Sequence, residues 1–497
     1  MSFRRLICRR IADGINENIF SGRITVENGR ISSVEAGDFV PEESCDIFFD
    51  EDKLLCPAFV DAHGHSDLSL LAMPRATGKT AQGIAWEISG NCGLSPFPLT
   101  ELNRSHLQEL YQQYQIPLTW QDFSSYRQTL QRNNGSLELF PLVGPNTLRA
   151  AVAGYEKKVL STGELQTMQL LLDKELSSGA QGLSLGLLYV PGCFANVEEI
   201  TALLKVVARH RKICTVHLKS EGSNLEEALH DTLTAARMAG LQKLHLSHLK
   251  TAGHSNFHKI SYILEALQTP DIRVTGDVYC YDASMTQLSV ILPAPYDRLD
   301  DVKLMKMLND ESLLRQIAGV MQKQRPMEYW QHVRLLTAAD GFERFTGMLL
   351  SDAARLLKLA PAELCLQILR RNAPGATGAF HTLSADNMQI LAAHASTVPG
   401  SDESARDQRV NFGLSHPRGF GNHPEYFALR RRQQAPLGRI IREMSGLPAE
   451  IFALDHIGRI RKDCRAVFTV LDPEQYRACS SFASPHELSA GSEIISY

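Results

Sequence analysis

Cys56-Pro57-Ala58-Phe59-Val60-Asp61-Ala62-His63-Gly64-His65-Ser66-Asp67 is an apolar run that ends in Asp-x-His-x-His. Cys56 to Val60 suits a buried strand. Side chains alternate along a strand, so His63 and His65 share a face with Asp61 beside them. Two imidazoles at the carboxyl end of a strand are half of a metal site. Taken alone, such a pair is more often two solvated histidines. The weight therefore falls on what accompanies it.

From residue 57 onward, apolar strands alternate with helical stretches, the pattern of parallel β/α architecture. Eight strands are expected, at 56–62, 81–90, 138–143, 180–186, 213–218, 243–249, 273–281 and 389–398. Amphipathic helices at 164–178, 196–211 and 225–239 precede strands four, five and six, with Gly179 and Gly240 where helix ends are wanted. Eight strands with intervening helices predict a TIM-type (β/α)8 barrel over 57–453. The gap between strands seven and eight exceeds one crossover. Residues 290–372, with Pro293, Pro295 and Pro326, read as an inserted lid over the barrel mouth. Residues 1–56 read as short strands punctuated by turns such as Asn28-Gly29. A helix is expected from Ala435 to Ser445, ending at Gly446. The tail, 454–497, returns to β segments such as Ala466 to Leu471, and pairing it with 1–56 predicts one small β-sandwich built from both chain ends.

The length of 497 residues, 44% hydrophobic and 21% charged, provides for a large core and more than one domain. A net charge of −4 and one short basic run, Arg430-Arg431-Arg432, do not point to nucleic acid. No run reaches the ~18 apolar residues of a membrane span. Ten cysteines lack paired spacing, which suits reduced cytoplasmic thiols. Arg4, Arg5, Arg9 and Arg10 are followed by no apolar h-region, so no signal peptide is expected.

The remaining chemistry gathers at strand ends. Asn91-Cys92-Gly93 follows strand two, His217 and Lys219 end strand five, His248 and Lys250 end strand six, and Gly400-Ser401-Asp402 follows strand eight. In a barrel these ends converge on one mouth. Cys92, His217 and His248 make a Cys-His-His zinc site with a position left for water. Asp402 is the candidate general base. Singly, each has a bland reading: a buried thiol, two hydrogen-bonded histidines, a turn carboxylate. The bland reading must then hold at every one of these places at once. Two decoys are set aside. Gly182-Leu183-Ser184-Leu185-Gly186 matches a nucleophile elbow, but a loop-like segment follows the serine where a helix is required. His254 and His258 lack a third ligand.

On these residues the sequence resembles the N-acyl-D-amino-acid deacylases (D-aminoacylases) of the amidohydrolase superfamily. The resemblance covers most of the chain. It includes GNCGLSPFPL at 90–99, GLSLGLLYVPG at 182–192, SHLKTAG at 247–253, DVYCYDAS at 277–284, GSDESARD at 400–407 and HPRGFG at 416–421. It implies a β/α barrel with an inserted lid, and hydrolysis of N-acyl-D-amino acids, small-molecule substrates. It also implies a tight zinc on Cys92, His217 and His248, a weaker second metal position at His63 and His65, and a catalytic Asp402. Substrate binding is implied for Tyr189, Lys250 and, in the Y-x-Y segment, Tyr281. Lys219 stands where His-x-Arg is usual, Pro145 where Gly-His is usual, Glu403 where Ser-Asp-Gly is usual, and Ala58 replaces a glycine. Lys219 is expected to bear on substrate preference. A cyclic-amide hydrolase is the alternative, disfavoured because no lysine ends strand four. A silent scaffold is disfavoured because every candidate ligand is present.

Overall fold

The computed structural model describes residues 3–41, 45–299, 301–372, 375–410 and 413–497. Five strands come first: β1 (Phe3–Ile11), β2 (Phe20–Glu27), β3 (Arg30–Ala36), β4 (Asp46–Phe48) and β5 (Leu54–Pro57). Asn28 and Gly29 both take positive φ at the tight turn from β2 to β3, the backbone such a hairpin needs. Next come β6 (Phe59–Asp61), β7 (Ile84–Ser89), β8 (Glu138–Pro141), β9 (Gly182–Gly186), β10 (Ile213–His217), β11 (Lys243–Leu246) and β12 (Arg273–Val278). The strands β13 (Ser284–Gln287), β14 (Val333–Thr337) and β15 (Thr377–Phe380) form a separate antiparallel sheet. After it, β16 (Thr397–Pro399) returns to pair in parallel with β12.

The parallel strands close on themselves. β6, β7 and β8 pair in order, as do β9, β10, β11 and β12. A parallel bridge between Val143 and Leu183 joins β8 to β9. A second, between Gly64 and Glu403, joins the ends of β6 and β16. The result is an eight-stranded parallel barrel. Its helices are placed by their apolar stripes. In Val197–Arg209, Leu203, Leu204, Val206 and Val207 are buried, and the Asn196 side chain caps the start by accepting from the Glu199 amide. Ser161 and Glu164 form a capping box at the head of Thr162–Ser177.

Two expectations change. Strand eight is only Thr397–Pro399, whereas Ala385–Ala393 is a helix. The apolar run there is Ala-, Leu- and Met-rich, with Ser384 as N-cap, and helix propensity wins until the β-branched Thr397 and Val398. The helix Leu437–Met444 forms, but Gly446 opens a further helix, Gly446–Ile451, with Pro448 in its first turn.

The chain ends meet. β17 (Val467–Leu471) pairs antiparallel with β5 and with β18 (Ser492–Ser496), in a seven-stranded sheet ordered β18-β17-β5-β1-β2-β3, with β4 beside β1. Leu6, Cys8, Ile24, Leu55 and Phe468 fill its core. The segment from Leu288 to Phe380 has its own core, including Leu304, Trp330, Leu335, Leu350 and Leu366. Among the described residues no helix is long and apolar enough to cross a membrane.

Candidate metal centre

The barrel mouth carries the candidate ligands on short, strained segments. Cys92, His248 and Asp402 have φ of 53°, 35° and 51°. Left-handed backbone at non-glycine residues costs about 1–3 kcal/mol each and concentrates at functional sites. The approach between strand ends is also tight. A Cβ on Gly64 would fall 2.0 Å from Cδ of Glu87, so only glycine fits between His63 and His65. A Cβ on Gly186 would fall 2.1 Å from the Cys92 carbonyl oxygen. That contact accounts for the glycine at the end of the GLSLG run. Ser184 within it is buried and accepts a hydrogen bond from the Gly93 amide at 3.3 Å, supporting the Cys92 turn.

The donor atoms converge. Cys92 Sγ lies 3.5 Å from His63 Nε2, 3.5 Å from His248 Nε2 and 3.4 Å from His217 Nδ1. His248 Nε2 and His217 Nδ1 are 2.8 Å apart. Ligands of one tetrahedral zinc, at usual Zn–S and Zn–N lengths, stand roughly 3.3–3.6 Å apart. The thiol–imidazole distances match that spacing, with His63 as near to the thiol as His217 and His248, whereas the His217–His248 pair at 2.8 Å is closer than two ligands of one zinc and would open on binding. Burial alone would raise the Cys92 thiol. The facing His63, His217 and His248 imidazoles outweigh it and hold the thiol well below its ordinary range, as a thiolate.

Asp402 faces this cluster from β16. Its Oδ1 is 3.1 Å from His65 Nε2 and 3.4 Å from His63 Nε2, and its Oδ2 is 3.0 Å from Arg418 Nη1. Burial would raise its carboxyl, but Arg418, then His248, His65 and His63, hold it well below the carboxylate range. It is ionised at neutral pH. His63, Cys92, His248 and Asp402 present donors all within 4.8 Å of one another.

A second layer orients the candidate ligands. Asp277 Oδ2 takes His63 Nδ1 at 3.1 Å and His245 Nε2 at 3.0 Å, and its Oδ1 accepts from the His248 amide. Glu221 Oε1 lies 2.9 Å from His248 Nδ1 and 2.7 Å from Lys250 Nζ. Such carboxylate–histidine pairs fix the tautomer of a ligand. Despite burial, Lys250 and His248 hold Glu221 down at about 2.

A cavity of about 500 Å³ opens above the cluster. Tyr189 and Lys250 line it, and Tyr189 Oη reaches Thr286 Oγ1 at 3.3 Å, linking a barrel loop to the inserted segment. Two sequence candidates fall elsewhere. Lys219 is exposed and does not line the cavity, because β10 ends at His217 and strand alternation stops there. The Tyr281 hydroxyl lies toward Gly421 and Ser480, outside the cavity, and Tyr279 lines the wall instead. Arg418, Glu221 and Tyr279 were missed. Arg418 sits in the HPRGFG run, and Glu221 follows His217 by four residues, which were the available signals. Asp61, beside the histidine pair in sequence, turns away from the cluster to Lys79. None of the ten cysteines is in a disulfide among the described residues.

Comparison with known proteins extends these observations. No family model matches the chain. The chain is 27% identical over 492 residues to the N-acyl-D-aspartate deacylase of Alcaligenes xylosoxydans xylosoxydans, covering 98% of this chain and 89% of that protein. The crystal structure of a D-aminoacylase said to define a subset of amidohydrolases superposes with a TM-score of 0.80 at 25% identity, over 98% of this chain and 94% of that one. The N-acyl-D-glutamate deacylase from Bordetella bronchiseptica, solved with zinc and a phosphonate mimic of a tetrahedral intermediate, superposes with a TM-score of 0.80 at 24% identity, covering 99% and 94%. The barrel and the cluster of candidate ligands thus accompany a likeness to N-acyl-D-amino-acid deacylases that runs over nearly the whole chain.

Proposed function

We propose that this chain hydrolyses the amide bond of N-acyl-D-amino acids, releasing a D-amino acid and a carboxylate, with zinc held by Cys92, His217 and His248. One observation carries the reading. A thiolate and two imidazoles meet within 3.5 Å beside an ionised carboxylate, Asp402, on the floor of a substrate-sized cavity. The relatives' names supply the substrate class. Zinc bound there would act as a Lewis acid on the amide carbonyl and acidify the attacking water.

The chain's own groups do the rest. Asp402 takes the proton of the attacking water and returns it to the leaving amine nitrogen. Arg418 holds that carboxylate ionised and aimed at the cluster. Lys250 and Tyr189, at the cavity wall, receive the substrate carboxylate. His63 and His65 offer only imidazoles, so a second metal at that pair binds more weakly. The segment around Ser284–Phe380 acts as a lid that excludes water. Ligation through a thiolate suits the reducing cytoplasm.

The test is metal analysis and a screen of N-acetyl-D- and N-acetyl-L-amino acids. The expected result is about one tight zinc per chain and turnover confined to the D series. Cys92→Ala should lose both zinc and activity. A Cys92→Ala enzyme with full zinc and near-normal turnover overturns the assignment. So does wild-type turnover of a hydantoin with none of any N-acetyl-D-amino acid.

A further inference from the structure

Lys79 lies in a four-residue helix, Thr77–Thr80, and its side chain is fully buried. It lines no part of the cavity and touches no candidate ligand. Its ammonium donates to Asp61 Oδ2 at 2.5 Å, Ser401 Oγ at 2.7 Å and the Glu403 carbonyl at 3.0 Å, and lies 2.9 Å from Glu87 Oε2. Ser401 and Glu403 are the two neighbours of Asp402 in sequence. Asp61 belongs to the strand that leads into the histidine pair.

We propose that Lys79 is a positioning residue for Asp402, clamping the ends of β6 and β16 so that the aspartate keeps its strained backbone and its aim. The proposal rests on the function assigned above to Asp402. Three observations support it. First, the clamp encloses the strain: Asp402 has φ 51°, and the residues on both sides of it bond to one cation. Second, the clamp is cross-braced. Asp61 Oδ1 accepts from the amides of Ser401 at 2.8 Å and His63 at 3.2 Å, and Asp61 Oδ2 accepts from Ser401 Oγ at 2.6 Å. Third, barrel closure happens at this point, where the Asp402 amide donates to the His63 carbonyl at 2.7 Å and the His65 amide to that of Glu403 at 3.2 Å. The strand carrying the histidines and the strand carrying Asp402 are thus held in register by one buried ion network. Apolar residues would fill the space at less desolvation cost, so a buried lysine here points to geometric specificity. A reacting group displaced by about 1 Å loses roughly 10²-fold in rate.

The experiment uses Lys79→Met, Ser401→Ala, Asp402→Asn and the Lys79→Met/Asp402→Asn pair, each assayed for fold, zinc, kcat and KM. Ser401→Ala removes one arm of the clamp without unbalancing charge, and it decides the question if Lys79→Met fails to fold. Lys79→Met is expected to keep the tight zinc and KM within about threefold while kcat falls about 10²-fold. Ser401→Ala is expected to lower kcat about tenfold. The double variant should be no slower than Asp402→Asn alone, because both changes act through one carboxylate. Losses that multiply, or kcat within twofold of wild type in Ser401→Ala, overturn the proposal. Crystal structures of the variants give a readout independent of turnover. Asp402 displaced from His65 Nε2 supports the clamp, and an undisturbed 3.1 Å contact overturns it. If the wild-type enzyme hydrolyses no N-acyl-D-amino acid, the functional reading falls and these structures still decide the clamp.

Discussion

Asp402 is held between a guanidinium on one oxygen and two imidazoles on the other. Replacing it by asparagine keeps the shape and removes the basic site. On the ligand set proposed above, Asp402→Asn should retain the tight zinc and lose about 10²–10⁴-fold in kcat. His63→Ala should also leave that zinc in place. Metal content measured beside rate separates these outcomes, and an Asp402→Asn enzyme at near wild-type rate would remove the general base from the mechanism. The residues legible in the sequence share one property. Cys92, His217, His248 and Asp402 each follow a strand closely, so a barrel reading alone brings them together. Arg418, Glu221 and Lys79 come from a helix, a loop after β10 and a four-residue helix. Only the packed barrel determines where those side chains arrive. Tyr279 and Tyr281 have the same strand parity, and the choice between them depended on where the chain leaves β12, at Val278.

The same limit applies to whole elements. Strands two to seven were readable because each apolar run sits between turn and helix signals, whereas the run expected at 56–62 divides between β5 of the end sheet and β6 of the barrel. The eighth was overextended into Ala385–Ala393, where a short apolar run satisfies helix and strand patterns alike. Helix-to-helix ties are invisible to such patterns. Glu175, in the helix Thr162–Ser177, is buried and accepts from the Phe123 amide at 2.7 Å, at the start of the next-but-one preceding helix, Phe123–Asn133. Its other oxygen has no partner. Burial pushes its carboxyl up to about 7. The unfolded carboxyl titrates near ~4.3. The folded chain therefore holds a proton that the unfolded chain has lost, and stability falls as pH rises from about 4 through 7. Glu175→Gln keeps an acceptor for Phe123 and removes the titration. It should raise stability by about 1–3 kcal/mol at pH 8, with the gain shrinking steadily toward pH 4. Thermal unfolding across that range checks it. A gain that grows toward low pH would contradict the burial argument.

At the scale of the molecule, one mouth is built between two bodies with separate cores. The sheet from both chain ends lies against the barrel. Thr469 Oγ1 donates to the Gly83 carbonyl and Tyr476 Oη to that of Gln82, both at the entry to β7. None of these tail residues lines the cavity. The Ser284–Phe380 segment has its own apolar core, yet it lends Met285, Thr286, Gln287, Tyr296 and Leu304 to the cavity wall. Damage to the core of the end sheet and damage to the core of the inserted segment should therefore read out differently. Phe468 is fully buried in the end sheet, and Leu335 is fully buried in the inserted segment. Phe468→Ala should cost about 3–5 kcal/mol and Leu335→Ala about 2–5. Phe468→Ala is expected to lower Tm while zinc content, kcat and KM of the folded enzyme stay within about twofold. Leu335→Ala is expected to raise KM at least about fivefold with zinc retained. The reason is that loosening the wall costs substrate contacts and leaves Cys92, His217 and His248 in the barrel. Zinc stoichiometry, Tm and KM of both variants decide it. A Leu335→Ala enzyme that loses its zinc with KM unchanged would mean that the inserted segment supports the metal cluster and does not serve as the lid.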